Sequence, residues 1–186
     1  MARKATIRCC AATALFVLLG CASSGDISSG GHGQARVAEL TSIAVRRGST
    51  IQHQALRDGL ITRTEYDQAM AGMMKCLRAA GLTVSGPYPD RTGFLLDYDA
   101  SVEGMAEAAV TRLSDACEQS YLDLVTEAYI ETHFVEFANA EATANKRLIR
   151  CMLDMKASVG DISERSPDVL SDLRKADITA FNACFS

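Results

Sequence analysis

The sequence predicts a mainly α-helical domain of about five helices with one small β-hairpin, stapled by two disulfides. Three observations support this fold class. Alanine is abundant whereas proline occurs only 3 times, so helical propensity is high along most of the chain. Apolar residues recur at helical spacing in several segments. Four cysteines fall in or beside predicted helices: Cys76, Cys117, Cys151 and Cys184.

The N-terminus has the pattern of a bacterial lipoprotein signal peptide. Three basic residues precede the apolar segment 9–19, which is too short for a membrane-spanning helix of about 20 residues. The segment ends in Leu18-Leu19-Gly20-Cys21, which resembles the lipobox before whose cysteine such precursors are cleaved. We therefore expect residues 1–20 to be removed and Cys21 to be lipidated with diacylglycerol and palmitate, which anchors the chain stably.

The segment after Cys21 indicates a flexible tether. Residues 22–33 are rich in Ser and Gly, a composition typical of flexible linkers. The predicted organisation is therefore a lipidated cysteine and tether over 21–33, followed by a single extracytoplasmic domain over 34–186. Removal of the leader, which holds three basic and no acidic residues, changes the net charge from −4 to −7. This acidic balance disfavours nucleic acid or an anionic lipid surface as the main ligand.

The first two helices have clear boundaries in the sequence. Apolar spacing predicts a helix over about 35–57, with an interruption at Gly48. The next helix begins with Thr62 as N-cap and Glu65 reaching back, in a capping box, and ends at Gly81. Its predicted buried face consists of Tyr66, Ala69, Met70, Met73 and Leu77.

A β-hairpin is predicted after the second helix. Residues 82–84 and 94–98 are β-prone, and the Gly- and Pro-rich stretch between them is typical of a loop. Tyr88, Asp90 and Arg91 lie in this loop. An exposed Tyr and Arg between prolines suit recognition, so these three residues form the candidate contact loop. The alternative is a plain structural turn.

The C-terminal half predicts three further helices. The first begins at Ser101 as cap and runs to about 137. The second covers about 140–158, with Leu148, Met152 and Met155 buried. The last begins at Ser166-Pro167-Asp168, because Ser as N-cap followed by Pro is a strong helix start.

An internal repeat suggests how the cysteines pair. Four cysteines in an exported domain indicate two disulfides, and counting alone permits three pairings. Two segments share one order: a helix with a cysteine, a breaker, then a later helix with a second cysteine. This repeat predicts Cys76–Cys117 and Cys151–Cys184. Buried free thiols are the alternative.

Part of the chain, from about 56 to 129, carries a set of short motifs. They are Asp58-Gly59-Leu60-Ile61-Thr62, Glu65-Tyr66, Cys76-Leu77-Arg78-Ala79-Ala80-Gly81, Ala116-Cys117 and Tyr121. On these residues the chain resembles a group of small, uncharacterised lipoproteins and exported proteins of actinobacteria, over about 75 of its 186 residues. The resemblance implies the fold and an exported location, and it implies no activity.

The sequence favours binding over catalysis. It contains no Gly-x-Ser-x-Gly, His-Glu-x-x-His, phosphate-loop or dinucleotide motif, so we expect no catalytic residue, metal or cofactor. The predicted function is that of a lipoprotein anchored on the extracytoplasmic face of the cell membrane. It would act as a non-enzymatic binding or envelope-interaction protein. Its predicted partners are the membrane, through the lipid, and an envelope or extracellular protein. The alternative is an extracytoplasmic hydrolase that uses the carboxylates of a surface cleft.

Overall fold

The fold is mainly helical with a β-hairpin, as the sequence predicts. The computed structural model describes residues 7–8, 30–160 and 162–185, so the lipobox, Cys21 and tether residues 22–29 lie outside the described residues. The helices are α1 (Gly30–Arg47), α2 (Thr50–Leu56), α3 (Arg63–Ala79), α4 (Glu107–Tyr121), α5 (Asp123–Thr132), α6 (Phe134–Asp154), α7 (Val169–Ala176) and α8 (Ile178–Phe185). The strands are β1 (Ile7–Arg8), β2 (Thr83–Pro89) and β3 (Leu96–Ser101).

The chain forms two compact units, where the sequence predicts one domain. Unit 1 combines the chain up to Tyr88 with Leu96–Phe134, and unit 2 combines Pro89–Leu95 with Val135–Ser186. Both predicted disulfides are confirmed. Cys76–Cys117 joins α3 to α4 in unit 1, and Cys151–Cys184 joins α6 to α8 in unit 2. Each disulfide therefore closes within a single unit.

The first predicted helix is interrupted at Gly48, as expected, because its φ of 72° is unfavourable for other residues. The helix starts earlier than predicted. It begins at Gly30, inside the stretch assigned to the tether. Gly33 explains part of this difference: a Cβ atom there would lie 2.9 Å from the carbonyl oxygen of Glu131 in α5. A side chain of any size would prevent this approach of the two helix backbones.

The capping box that starts α3 is also confirmed. The Thr62 N–H donates to Glu65 Oε2 at 2.8 Å, and the Glu65 N–H donates to Thr62 Oγ1 at 3.3 Å. The predicted buried face of α3 is buried as well, and Tyr66 stacks on Tyr129 with ring centroids 4.8 Å apart. The methionines of this face, Met70 and Met73, are therefore part of the core of unit 1.

The hairpin differs from its predicted boundaries. The stretch assigned to the loop is mostly strand, because β2 continues through Pro87 and Pro89. The sheet order is β1-β3-β2, which places β2 at an edge, where proline is tolerated. The hairpin contacts α3, because the Leu96 N–H donates a hydrogen bond to the Tyr66 hydroxyl at 3.0 Å. On the other side of β3, β1 pairs antiparallel, with Ile7 opposite Ala100.

The predicted helix start at Ser101 is wrong, because Ser101 ends β3 and α4 begins at Glu107. The predicted continuous helix is also divided in two at Leu122. Gln52 of α2, which is fully buried, forms hydrogen bonds on both sides of this break. Its amide donates to the Gln119 carbonyl at 2.6 Å and accepts from the Leu124 N–H at 2.8 Å.

The last predicted helix is likewise two helices. It begins at Val169 rather than at Ser166-Pro167, and it breaks at Asp177. The Asp177 carboxylate then accepts hydrogen bonds from the N–H groups of Thr179 and Ala180, both at 3.0 Å, and so caps α8. In the preceding helix α6, Met155 was expected to be buried. This is wrong, because it lies beyond the end of α6 with 48% of its surface exposed.

Candidate functional site

Asp90 of the candidate contact loop organises the loop itself. Its carboxylate accepts hydrogen bonds from the Thr92 hydroxyl at 2.7 Å and from the Phe94 and Leu95 N–H groups, both at 3.1 Å. The Asp90 N–H in turn donates to the Leu95 carbonyl at 3.0 Å. This carboxylate is thus committed to a closed turn, as Asp often is in loops.

Arg91 holds the same loop on helix α6. Its guanidinium donates to Asn145 Oδ1 at 2.8 Å, and its carbonyl accepts from Arg147 at 3.1 Å. Asn145 is buried, and its amide donates to the Glu164 carbonyl at 3.0 Å. The guanidinium also lies 5.7 Å from the ring centroid of Phe185. Arg91 is therefore bound within unit 2. Among the three predicted contact residues, Tyr88 is the most exposed to solvent, with 45% of its surface accessible.

Unit 2 has an open groove on its surface. It lies along α7 and α8 and has a volume of about 600 Å³. Ile178, Phe181 and Phe185 recur at i, i+3 and i+7 on α8, so they share one face of that helix. Phe181 and Phe185 stack with their centroids 4.9 Å apart, and Ile178 has 53% of its surface exposed. The floor of the groove is therefore apolar.

Two cations line the same groove. Arg174 and Lys175 occupy the last turn of α7 and are exposed. Lys175 lies 3.6 Å from Asp172, in an exposed ion pair of the kind that contributes little to stability. The end of a helix carries partial negative charge, which favours both cations there. The groove thus combines an apolar floor with a positive rim, which suits a ligand that is apolar and anionic together.

The groove is separate from the carboxyl groups whose pKa is shifted. In unit 2, burial raises the pKa of Glu141, and the nearby Arg91 partly opposes this effect. In unit 1, burial raises the pKa of Glu118, with smaller contributions from Asp123 and Asp115. Neither glutamate lines the α7–α8 groove or the second, smaller pocket of unit 2.

One of the histidines that the structure describes, His133, contributes to the structure of unit 1. Nε2 of His133 lies 3.0 Å from the Ile61 carbonyl oxygen, and its ring packs on Tyr129 with centroids 4.7 Å apart. His53 lies in α2 and is exposed. Within residues 30–160 and 162–185, no three His, Cys, Asp or Glu side chains gather as a metal site would require. No helix in that same part of the chain is long and apolar enough to cross a bilayer.

Comparisons with protein-family models, with curated proteins and with solved structures find no match to this chain. The resemblance to actinobacterial lipoproteins therefore stays a prediction. The groove residues themselves were not among the predicted contacts, because α7 and α8 were expected to be one helix. A signal for them was present: two adjacent cations at Arg174-Lys175, followed by apolar residues at i, i+3 and i+7 from Ile178.

Proposed function

We propose that this protein is an extracytoplasmic lipoprotein, anchored through Cys21, that binds a ligand or an envelope component rather than catalysing a reaction. The observation that supports an exported location is the pair of disulfides, Cys76–Cys117 and Cys151–Cys184. Disulfides persist in oxidising compartments and are rare in the cytosol. The lipobox sequence at Leu18–Cys21 supplies the anchor in this proposal.

The shape and lining of the unit 2 groove support binding. The apolar floor and the cationic rim can recognise shape and charge, and the residues that line the groove include no His, Asp, Glu or Cys beside Ser171. The carboxylate of the predicted contact loop, Asp90, is engaged by three groups of its own loop.

Two measurements test the proposal. Mass analysis of the N-terminal peptide of the protein made in an actinobacterial host should show a chain that starts at Cys21 and carries acyl chains. Treatment with globomycin, which blocks lipoprotein signal peptidase, should leave the leader attached. An unmodified N-terminus at any other residue would overturn the anchor. Non-reducing peptide maps of the same sample should show both disulfides, and free thiols at these four cysteines would remove the support for export.

A further inference from the structure

The two units differ in net charge, and this difference affects which partners the groove can bind. From residue 21 onward, unit 1 has 14 acidic and 8 basic side chains, whereas unit 2 has 9 acidic and 8 basic ones. Unit 1 is therefore strongly negative, and a negatively charged surface repels it. Unit 2 is nearly neutral and places Arg174 and Lys175 beside its groove. An anionic partner is therefore compatible with unit 2 and disfavoured by unit 1.

Part of the apolar lining of the groove faces solvent. Ile178 is 53% exposed, and Phe185 is only partly buried. Ile178 and Phe185 lie on either side of Phe181 in the sequence and share one face of α8. The two cations at the end of α7 line the same groove. Exposed apolar side chains next to Lys and Arg are the features by which a surface helix enters the headgroup layer of a bilayer.

We propose that the α7–α8 groove docks on an anionic lipid surface, with Ile178 entering the headgroup layer and Arg174 and Lys175 binding lipid phosphates. The inference rests on the proposed lipid anchor, because the anchor would keep the chain attached to a bilayer. An open groove suits a surface better than it suits a single enclosed molecule. Charge complementarity selects anionic over zwitterionic lipid.

Vesicle cosedimentation tests this docking on the full chain carrying Cys21→Ser, so that no lipid anchor contributes. Vesicles of phosphatidylcholine with 30% phosphatidylglycerol are compared with vesicles of phosphatidylcholine alone, in low and high salt. We expect binding to the anionic vesicles that weakens with salt. Every variant keeps the same N-terminal segment, so any membrane affinity of that segment cancels in the ratios between variants.

Two variants address the rim and the floor of the groove separately. Arg174→Gln with Lys175→Gln should weaken binding to the anionic vesicles roughly 30-fold. Ile178→Ser should weaken it about fivefold, because half of this side chain is available for burial. The matched controls are Arg46→Gln with Arg57→Gln, and Val45→Ser, all exposed residues of unit 1. The controls should bind as the parent does.

Several outcomes would overturn the docking. They are equal binding to both kinds of vesicle, no binding, or equal losses in the control variants. A fourth is binding of monomeric laurate to the groove without binding to vesicles, which would identify a soluble amphiphile as the ligand instead. Circular dichroism of each variant distinguishes a lost contact from a lost fold. The anchor is judged separately by the mass of the N-terminal peptide, so lipidated Cys21 without docking would leave the proposed function standing.

Discussion

Replacement of Gln52 by leucine tests what breaks the predicted long helix at Leu122. The Gln52 side chain is fully buried and binds the Gln119 carbonyl at 2.6 Å and the Leu124 N–H at 2.8 Å. These backbone groups flank the break between α4 and α5. Leucine has a similar volume but neither donates nor accepts, so Gln52→Leu removes both hydrogen bonds and leaves the surrounding core filled.

The expected loss follows from these two groups. A buried backbone group that loses its partner costs about 1–3 kcal/mol. The Leu124 N–H also lies 2.7 Å from Asp123 Oδ1, so its loss is partly compensated, whereas the Gln119 carbonyl loses its side-chain donor. The leucine side chain recovers some free energy by apolar burial. We therefore expect the free energy of unfolding of unit 1 to fall by about 1–2 kcal/mol.

Urea denaturation followed by circular dichroism measures this change by linear extrapolation. Gln54→Leu is the matched control, because Gln54 lies on the same helix and is exposed. A change at such a surface position is usually within about 0.5 kcal/mol. If Gln52→Leu cost less than about 0.5 kcal/mol, or no more than Gln54→Leu, the break at Leu122 would not depend on Gln52.

Three further predictions concern packing, charge and the second disulfide. Gly72→Ala should lower the Tm of unit 1, because the new Cβ would lie 2.8 Å from Cδ1 of Tyr121 and overpacking costs about 1–3 kcal/mol; an unchanged Tm would contradict this. The pKa of Glu118 is raised in the folded protein, mainly by burial. The folded state thus binds this proton more tightly, and stability falls as the pH rises from the unfolded pKa through the folded one. Glu118→Gln should therefore raise the Tm at pH 7 and lose this advantage in acid below both pKa values, whereas an equal gain at both pH values would refute the assignment. Cys151→Ser with Cys184→Ser opens a loop with a sequence separation of 33 and should destabilise unit 2 by up to about 4 kcal/mol. Hydrogen exchange should then accelerate in unit 2 and not in unit 1, and a uniform acceleration would show that the two units unfold together.

Local signals in the sequence predicted the elements that depend on local contacts. The capping box at Thr62 and Glu65 needs only four consecutive residues, and the structure confirms it. The interruption at Gly48 depends on the backbone of one residue. The repeated order of helix, breaker and helix was enough to predict the pairing of Cys76 with Cys117.

Contacts between distant residues explain the errors. Gln52 forms hydrogen bonds on both sides of the break at Leu122, across 67 and 72 residues, and the helical propensity of this region does not predict them. Ser101 looked like a helix cap, but pairing of β3 with the rest of the sheet holds it in a strand. The groove was missed for a related reason: the break at Asp177 turns one predicted helix into two, and the groove lies along both.

The placement of Pro89–Leu95 in unit 2 determines how this protein can be dissected. Because the loop enters from the middle of unit 1, no single truncation of the gene yields unit 2 whole. A fragment that starts at Val135 would lack Arg91, and with it the donor to the buried Asn145 and the cation beside Phe185. Limited proteolysis should show the same dependence. After cleavage on either side of residues 89–95, unit 2 stays complete only while the segment that carries this loop remains bound to it. Fragments for crystallography or binding studies should therefore keep residues 89–95 covalently joined to the C-terminal helices.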